Sequence, residues 1–276
     1  MNAFSASDAV DAVGHRLETR RFGPPEMPLR VVLLHEGLGS VSAWRDFPAR
    51  LARRIGEPVL AYSRPGYGQS SMLRGTRGPD FMHREAQVVL PALLQAFGIR
   101  QPILIGHSDG ASIALIYAGC CGRTARPDAA RAPTPAVPPL GACRGVAVMA
   151  PHLFVEDITV AEIARISGGF EAGGLADRLG RYHRDPTATF RSWADAWLSP
   201  AFRPWNIEPE AGGISCPLLA IQGEDDQYAT ARQIGRLAEL HPRAKTLMLP
   251  DCRHSPHLDQ PDVVLAALTG FLAGLS

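Results

Sequence analysis

The chain has 276 residues, 46% of them hydrophobic, and can therefore bury a large core as one domain with an insertion or as two domains. Its 28 lysine and arginine residues nearly balance 27 aspartate and glutamate residues, which gives no indication of a nucleic-acid or acidic-membrane partner. Five irregularly spaced cysteines favour reduced thiols over a zinc site or a disulfide framework.

Short apolar runs, each followed by a glycine-containing loop, predict the first strands of a sheet. Residues 1–14 show no regular pattern, whereas residues 15–22 alternate weakly in polarity and are the first candidate strand. Apolar runs at 29–35 and 58–63 predict two further strands, with an amphipathic helix between them. A helix is predicted from Asp80 to about Phe97, with a break at Pro91 because proline lacks the N–H that the helix needs.

The most specific local pattern occupies residues 103–112. An apolar run ends in Gly106, His107, Ser108, Asp109 and Gly110, and a run of small and apolar residues follows. A G-x-S-x-G sequence between a strand and a helix predicts a nucleophile elbow, in which the serine stands on a strained turn with its hydroxyl exposed. The glycines fit this geometry because a Cβ there would crowd neighbouring backbone.

The second half of the chain combines a proline-rich segment, a helical segment and further strands. Residues 120–143 are rich in alanine, proline and arginine, which predicts an exposed, mobile loop. Strands are predicted at 145–151, 217–222 and 245–250, and helices at 230–240 and 261–275. Residues 152–213 contain no convincing strand and predict helices near 159–167, 171–184 and 186–198. Alternating short strands and helices predict an α/β fold with a mostly parallel sheet covered on both faces.

Reactive side chains lie where the predicted strands end, which is the edge at which parallel sheets collect functional groups. A serine hydroxyl is a weak nucleophile and needs a base that is itself oriented by an acid. Serine, aspartate and histidine occur here in the chain order expected for this architecture. The candidates are His35, Arg64, Ser108, His152, Asp225 or Asp226, and His254.

Five ordered motifs resemble the α/β-hydrolase superfamily, in its branch of lid-bearing serine esterases and C–C hydrolases. They are His35-Glu36-Gly37-Leu38-Gly39-Ser40 with Trp44, Arg64-Pro65-Gly66-Tyr67-Gly68-Gln69-Ser70, Gly106-His107-Ser108-Asp109-Gly110, Gly223-Glu224-Asp225-Asp226, and His254. The resemblance covers essentially the whole chain. It implies an eight-stranded, mostly parallel sheet built from residues 1–151 and 214–276, with residues 120–143 as a loop insertion and residues 152–213 as a helical lid after strand 6.

The resemblance also implies the roles of the charged residues. The family's G-x-x-D motif places the acid at Asp226, with Asp225 as the alternative. The base is His254 rather than His257, because the family often has an acidic residue five positions after the catalytic histidine, where Asp259 stands. Arg253 replaces the glycine that usually precedes this histidine, which is a departure from the family pattern.

The oxyanion-binding groups and the substrate pocket are further expectations from the resemblance. The backbone N–H of Asp109 and one N–H from the loop after residue 35 are expected to bind the oxyanion; Gly37 is the first candidate and Leu38 the second. His35 and His107 are interpreted as structural. Most aromatic residues of the helical segment are expected to form its own core. Leu38, His152, Trp193 and Trp197 are expected to contact the substrate.

The resulting hypothesis is a serine hydrolase that acts through an acyl-enzyme on an ester or thioester of a small, partly apolar acid. The first alternative is a C–C hydrolase of aromatic ring-cleavage products, although Ser255 stands where those relatives often have tryptophan. The second is a non-catalytic ligand receptor on the same fold. We expect a cytoplasmic protein with a small-molecule substrate, no metal or organic cofactor, and no nucleic-acid or membrane partner; a homodimer is compatible with the sequence.

Overall fold

The computed structural model describes residues 7–73, 75–124, 141–170 and 172–275, and these residues form a sheet of eight strands. The spatial order is β1-β2-β4-β3-β5-β6-β7-β8. Strands β3 to β8 pair in parallel, whereas β1 pairs with β2 and β2 with β4 in antiparallel fashion. The bounds are β1 Ser7–Ala12, β2 His15–Phe22, β3 Val31–Leu34, β4 Val59–Tyr62, β5 Ile103–His107, β6 Gly145–Met149, β7 Leu218–Gly223 and β8 Lys245–Leu249.

Eleven α-helices in the described residues accompany the sheet. The core helices are α1 Phe47–Ile55, α2 Phe81–Arg84, α3 Leu90–Ala96, α4 Asp109–Thr124, α9 Arg232–Leu240, α10 Pro256–Asp259 and α11 Pro261–Ala273. Between β6 and β7 lie α5 Asp157–Gly168, α6 Leu175–Gly180, α7 Pro186–Leu198 and α8 Glu208–Ala211. Two buried apolar clusters lie on opposite faces of the sheet, as the nearly continuous apolar character of β3 to β7 requires.

The N-terminal strand β1 corrects the expectation that residues 1–14 lack regular structure. Residues 7–12 pair with β2 in a hairpin, in which Ala12 lies opposite His15. Val13 and Gly14 form the two-residue turn, and both have positive φ, which gives the twist that a tight hairpin needs. The pairing is decided by the partner strand and the turn rather than by the polar sequence of β1 itself.

The sequence predicts a helix break at Pro91, and the structure has a widened helical turn just before that residue. Residues Glu85–Val89 form a π-helical turn between α2 and α3, and Pro91 lies in the first turn of α3. A proline is tolerated at that position because the first N–H groups of a helix have no intrahelical acceptor. The chain therefore continues in one direction with a local change of helical pitch.

The proline-rich insertion begins later than predicted. Helix α4 runs through residues 120–124, and the chain is described again from residue 141. The predicted mobile loop otherwise falls on residues 125–140, which lie outside the described residues. Among the helices of the described chain, none is both long and apolar enough to cross a membrane.

The segment 152–213 is helical, as predicted, although α6 is shorter than the expected helix at 171–184. Within its described residues, an isolated antiparallel bridge joins Phe154 to Asn206. Phe170 and Phe190 stack at 4.1 Å between ring centroids, and Phe202 stacks on Trp205 at 5.2 Å. These rings also belong to the buried apolar cluster that covers one face of the sheet, and Phe202 contacts Phe81 of α2 at 5.7 Å between ring centroids. The expectation that they form a separate core of the segment is therefore wrong.

Candidate active site

Ser108 lies on the strained turn between β5 and α4. Its φ is +52°, in the left-handed region that non-glycine residues seldom adopt. The two flanking glycines are required by close packing, because a Cβ on Gly106 would lie 2.3 Å from the Gly110 carbonyl oxygen and one on Gly110 would lie 2.1 Å from the Leu34 carbonyl oxygen. The elbow thus holds the serine against the ends of β3 and β5.

The hydroxyl of Ser108 begins a hydrogen-bond chain that extends through His254 to Asp226. Ser108 Oγ donates to His254 Nε2 at 2.9 Å, and His254 Nδ1 donates to Asp226 Oδ1 at 2.8 Å. The backbone N–H groups of Tyr228 and Ala229 also donate to Asp226 Oδ1. Burial alone would raise the pKa of Asp226, but the neighbouring His254 charge and these hydrogen bonds hold it below its usual value.

The two alternatives that the sequence left open, Asp225 and His257, both lie outside this hydrogen-bond chain. Asp225 is exposed on the same loop, whereas Asp226 is buried and contacts His254. His257 packs instead on Trp44, at 4.8 Å between ring centroids, and burial together with the His254 charge lowers its pKa to about 3. His107 donates from Nε2 to the His254 carbonyl oxygen at 2.7 Å, so it holds the loop that carries His254.

The peptide that joins Glu36 to Gly37 is fixed from its carbonyl side. His35 Nε2 accepts the Arg64 N–H, so His35 Nδ1 carries the proton and donates to the Glu36 carbonyl oxygen at 2.7 Å. Arg64 Nη2 donates to the same oxygen at 2.8 Å. Because C=O and N–H point in opposite directions across a trans peptide, this anchoring directs the Gly37 N–H away from Arg64.

The backbone N–H groups of Gly37 and Asp109 are available at the site, whereas that of Leu38 is not. Leu38 N–H donates to Glu36 Oε2 at 2.8 Å. In the described part of the chain, no acceptor is bonded to the N–H of Gly37 or Asp109, and both residues border the cavity that contains Ser108. The geometry therefore favours Gly37 over Leu38 as the second oxyanion donor.

A buried network joins the elbow to helix α7. Asp109 Oδ1 accepts a hydrogen bond from Trp197 Nε1 at 3.2 Å, and its Oδ2 lies 3.8 Å from Arg64 Nη2. Burial raises the pKa of Asp109, and the charge of Arg64 partly opposes this shift. His183, between α6 and α7, accepts the Gly68 N–H and donates to the Leu38 carbonyl oxygen at 2.7 Å. Hydrogen bonds therefore connect the helical segment 152–213 to the loop that contains Leu38, to the loop that contains Gly68 and to Asp109 of the elbow.

A cavity of about 260 Å³ opens on Ser108 and His254. All four residues predicted to contact the substrate border it. The lining also includes residues that sequence reasoning missed, namely Glu36, Thr159, Ile163, Gln227, Tyr228 and Ser255. A larger cavity of about 550 Å³ lies at the opposite edge of the sheet, near the first residues of β3 and β5, and neither serine nor histidine lines it.

Several polar atoms of the Ser108 cavity lack partners among the described residues. Trp193 Nε1 and His152 Nδ1 are buried without a hydrogen-bond partner there. Burial lowers the pKa of His152 to about 3, so its imidazole is neutral at pH 7. Buried polar groups without partners are uncommon and costly, which indicates that this cavity accommodates polar as well as apolar atoms.

One missed residue could have been noticed in the sequence. The family's loop after the third strand begins His-Gly, whereas this chain has an acidic residue, Glu36, after His35. A carboxylate inserted beside the expected oxyanion-binding loop is a sequence signal for a polar site. By contrast, Thr159 and Ile163 come from α5, and only the packing of that helix brings them to the cavity.

Comparison with solved structures gives the same fold. A carboxylesterase structure from the thaumarchaeon Nitrososphaera gargenis matches with a TM-score of 0.73 and 18% identity, and covers 97% of this chain and 98% of that one. The enol-lactonase from Burkholderia xenovorans matches with a TM-score of 0.71 and 19% identity over 96% of this chain and 100% of that one. At this level of identity, the likeness concerns the fold.

Sequence comparison supplies the family. An sn-1-specific diacylglycerol lipase from Mus musculus (ABHD11) is 24% identical over 277 aligned positions, which cover 88% of this chain and 80% of the lipase. The model of the alpha/beta hydrolase family matches residues 31–267, which include every strand from β3 to β8 and the loops that carry Ser108, Asp226 and His254. The chain therefore belongs to the alpha/beta hydrolase family.

Proposed function

We propose that the protein is a serine hydrolase that cleaves a carboxylic ester or thioester of a small acid through an acyl-enzyme. The observation that carries the proposal is the continuous hydrogen-bond chain from Ser108 Oγ through His254 to Asp226. Nucleophile, base and orienting acid stand within the distances that this chemistry needs. The similar carboxylesterase, enol-lactonase and diacylglycerol lipase also support ester chemistry.

In the proposed reaction, Ser108 Oγ attacks the substrate carbonyl while its proton passes to His254 Nε2. The N–H groups of Gly37 and Asp109 bind the oxyanion that forms. Its collapse breaks the bond to the leaving group, which takes the proton from His254, and leaves an acyl-enzyme. Water then attacks the acyl carbonyl and gives a proton to His254. When this second intermediate collapses, the bond to Ser108 Oγ breaks, Oγ takes the proton back from His254, and the acid is released.

We propose that the helical segment 152–213 acts as a lid over this site. Its contribution to the cavity through α5 and α7, and its hydrogen bonds to the Asp109 and Leu38 positions, support that role. A volume of about 260 Å³ lies below the range of about 300–1,000 Å³ typical of pockets for drug-sized ligands, which favours a small acyl group.

Fluorophosphonate labelling and ester hydrolysis test the proposal together. The wild-type protein should be labelled at Ser108 and should hydrolyse p-nitrophenyl acetate, and Ser108→Ala should lose both properties. A folded protein whose Ser108 stays unlabelled would support the receptor hypothesis instead. Turnover of dienone acids, with no turnover of esters or thioesters, would replace ester chemistry with C–C hydrolysis.

A further inference from the structure

Glu36 borders the cavity that contains Ser108 and lies outside the proposed triad and oxyanion hole. The side chain is half-buried. Its Oε2 accepts the Leu38 N–H at 2.8 Å, and its other oxygen has no hydrogen-bond partner within the described residues. The loop leaves room for this carboxyl group, because a Cβ on Gly39 would lie only 2.6 Å from Oε2.

Arg64 is the cation that acts most strongly on Glu36, and other groups already engage it. Arg64 donates to the backbone carbonyl of Glu36, and its guanidinium lies 3.8 Å from the carboxylate of Asp109. His254 is bonded to Ser108 and Asp226. The charged and titratable groups that act on the Glu36 carboxyl are Arg64, Asp109 and His254, together with Tyr67 and Tyr228. Among the described residues, none of these five side chains forms a hydrogen bond or ion pair with that carboxyl group.

An ionised carboxylate without a counter-charge is costly in such a cavity. Burial raises the pKa of Glu36 to about 7, and the charge of Arg64 and the Leu38 hydrogen bond only partly oppose this shift. A ligand group that donated a hydrogen bond to the unpartnered oxygen would remove part of this cost, and a cation would also supply the missing charge.

We propose that Glu36 binds a hydrogen-bond donor on the acyl part of the substrate, and that the enzyme therefore selects esters or thioesters of amino or hydroxy acids. The inference rests on the proposed hydrolase function and specifies its substrate class. An ammonium group is the strongest candidate donor, because it forms a charge-assisted hydrogen bond and neutralises the carboxylate. Glu36 is then a specificity-determining residue, since it acts on the substituent and not on the scissile bond.

Isosteric substrates isolate this contact. Methyl 3-aminopropanoate, methyl 3-hydroxypropanoate and methyl butanoate differ only in a terminal ammonium, hydroxyl or methyl group. The methyl esters of alanine, lactate and 2-methylpropanoate repeat the series with the group next to the carbonyl. For each variant, the measured quantity is the ratio of kcat/KM for the donor-bearing ester to that for its methyl isostere, which cancels any general loss of activity.

Glu36→Gln removes the negative charge and keeps a hydrogen-bond acceptor, whereas Glu36→Leu removes both. Glutamine can still accept the Leu38 N–H, so it leaves the loop contact in place. The matched control is Glu224→Gln, at an exposed loop carboxylate. The wild type and the control should prefer at least one donor-bearing ester by about 10- to 100-fold, as expected for a hydrogen bond to a charged group. Glu36→Gln should lose most of an ammonium preference, and Glu36→Leu should lose a preference for either donor.

Two outcomes would overturn the inference: wild-type ratios near one in both series, or a preference that survives in both Glu36 variants. Serine-dependent hydrolysis of methyl butanoate or p-nitrophenyl acetate separates this failure from failure of the proposed function. If the wild type hydrolyses these simple esters without any preference, only the role of Glu36 is wrong. If it hydrolyses no ester or thioester and Ser108 stays unlabelled, the proposed function itself is wrong.

Discussion

The substitution Gly37→Ala probes the assignment of the Gly37 N–H as an oxyanion donor. The new Cβ would lie 2.1 Å from Trp193 Nε1 and 2.5 Å from Trp193 Cε2. Because ordinary contacts between such atoms begin at about 3.4 Å, either the Gly37 peptide or the indole must shift by more than about 1 Å. Trp193 is only 6% exposed and packs beside Phe190, so we expect the Gly37 peptide to move rather than the indole.

The expected cost follows from the loss of one oxyanion contact. Removal of a single oxyanion donor typically costs about 2.7–4 kcal/mol, or about 10²–10³ in kcat. Substrate binding by the rest of the cavity does not depend on this N–H. We therefore expect kcat to fall by about two to three orders of magnitude while KM changes by less than about threefold, together with weaker inhibition by a boronic acid that mimics the tetrahedral intermediate.

Two further variants control this experiment. Gly235→Ala adds the same methyl group on α9, where nothing lies within 4 Å of the new Cβ, and should leave the kinetics unchanged. The double variant Gly37→Ala/Trp193→Leu removes the indole that the methyl group would meet, and should recover part of the lost kcat. A folded Gly37→Ala protein with kcat within about threefold of the wild type would show that this N–H does not stabilise the transition state.

Three further predictions follow from the same contacts. Asp226→Asn should lower kcat by about 10⁴ with little change in fold, because an amide no longer selects the His254 tautomer that accepts the serine proton; an unchanged rate would remove Asp226 from the triad. Trp197→Phe should lower the free energy of unfolding by about 1–3 kcal/mol in urea titrations, because it leaves the buried Asp109 Oδ1 without its indole donor, and a loss below about 0.5 kcal/mol would contradict this. Burial lowers the pKa of His257 from 6.5 to about 3, so below pH 6.5 the unfolded chain binds a proton that the native protein excludes, and stability is lost as the pH falls towards 3. His257→Phe should make this decline shallower by about 1.4 kcal/mol per pH unit, and an unchanged slope between pH 6 and 4 would show that His257 is already protonated in the native state.

The sequence determined the fold class and predicted three side chains that the structure brings into one hydrogen-bond chain. Short apolar runs alternate with helical patterns, and buried parallel strands leave that signature because both of their faces are covered. The spacing of Gly223 to Asp226, and of His254 to Asp259, selected residues that the structure does bring together with Ser108. These features are local, so a single chain read in order reveals them.

Contacts between distant segments were decided by the tertiary structure alone. The polar strand β1 exists because β2 pairs with it, and Leu38 is unavailable as an oxyanion donor because the Glu36 side chain turns back onto its N–H. Trp197 is tied to Asp109 across 88 residues. Local sequence specifies which helices and strands form and which reactive side chains follow them. It does not specify the direction of a side chain or the close approach of distant segments. The orientation of a peptide and the lining of a cavity depend on both.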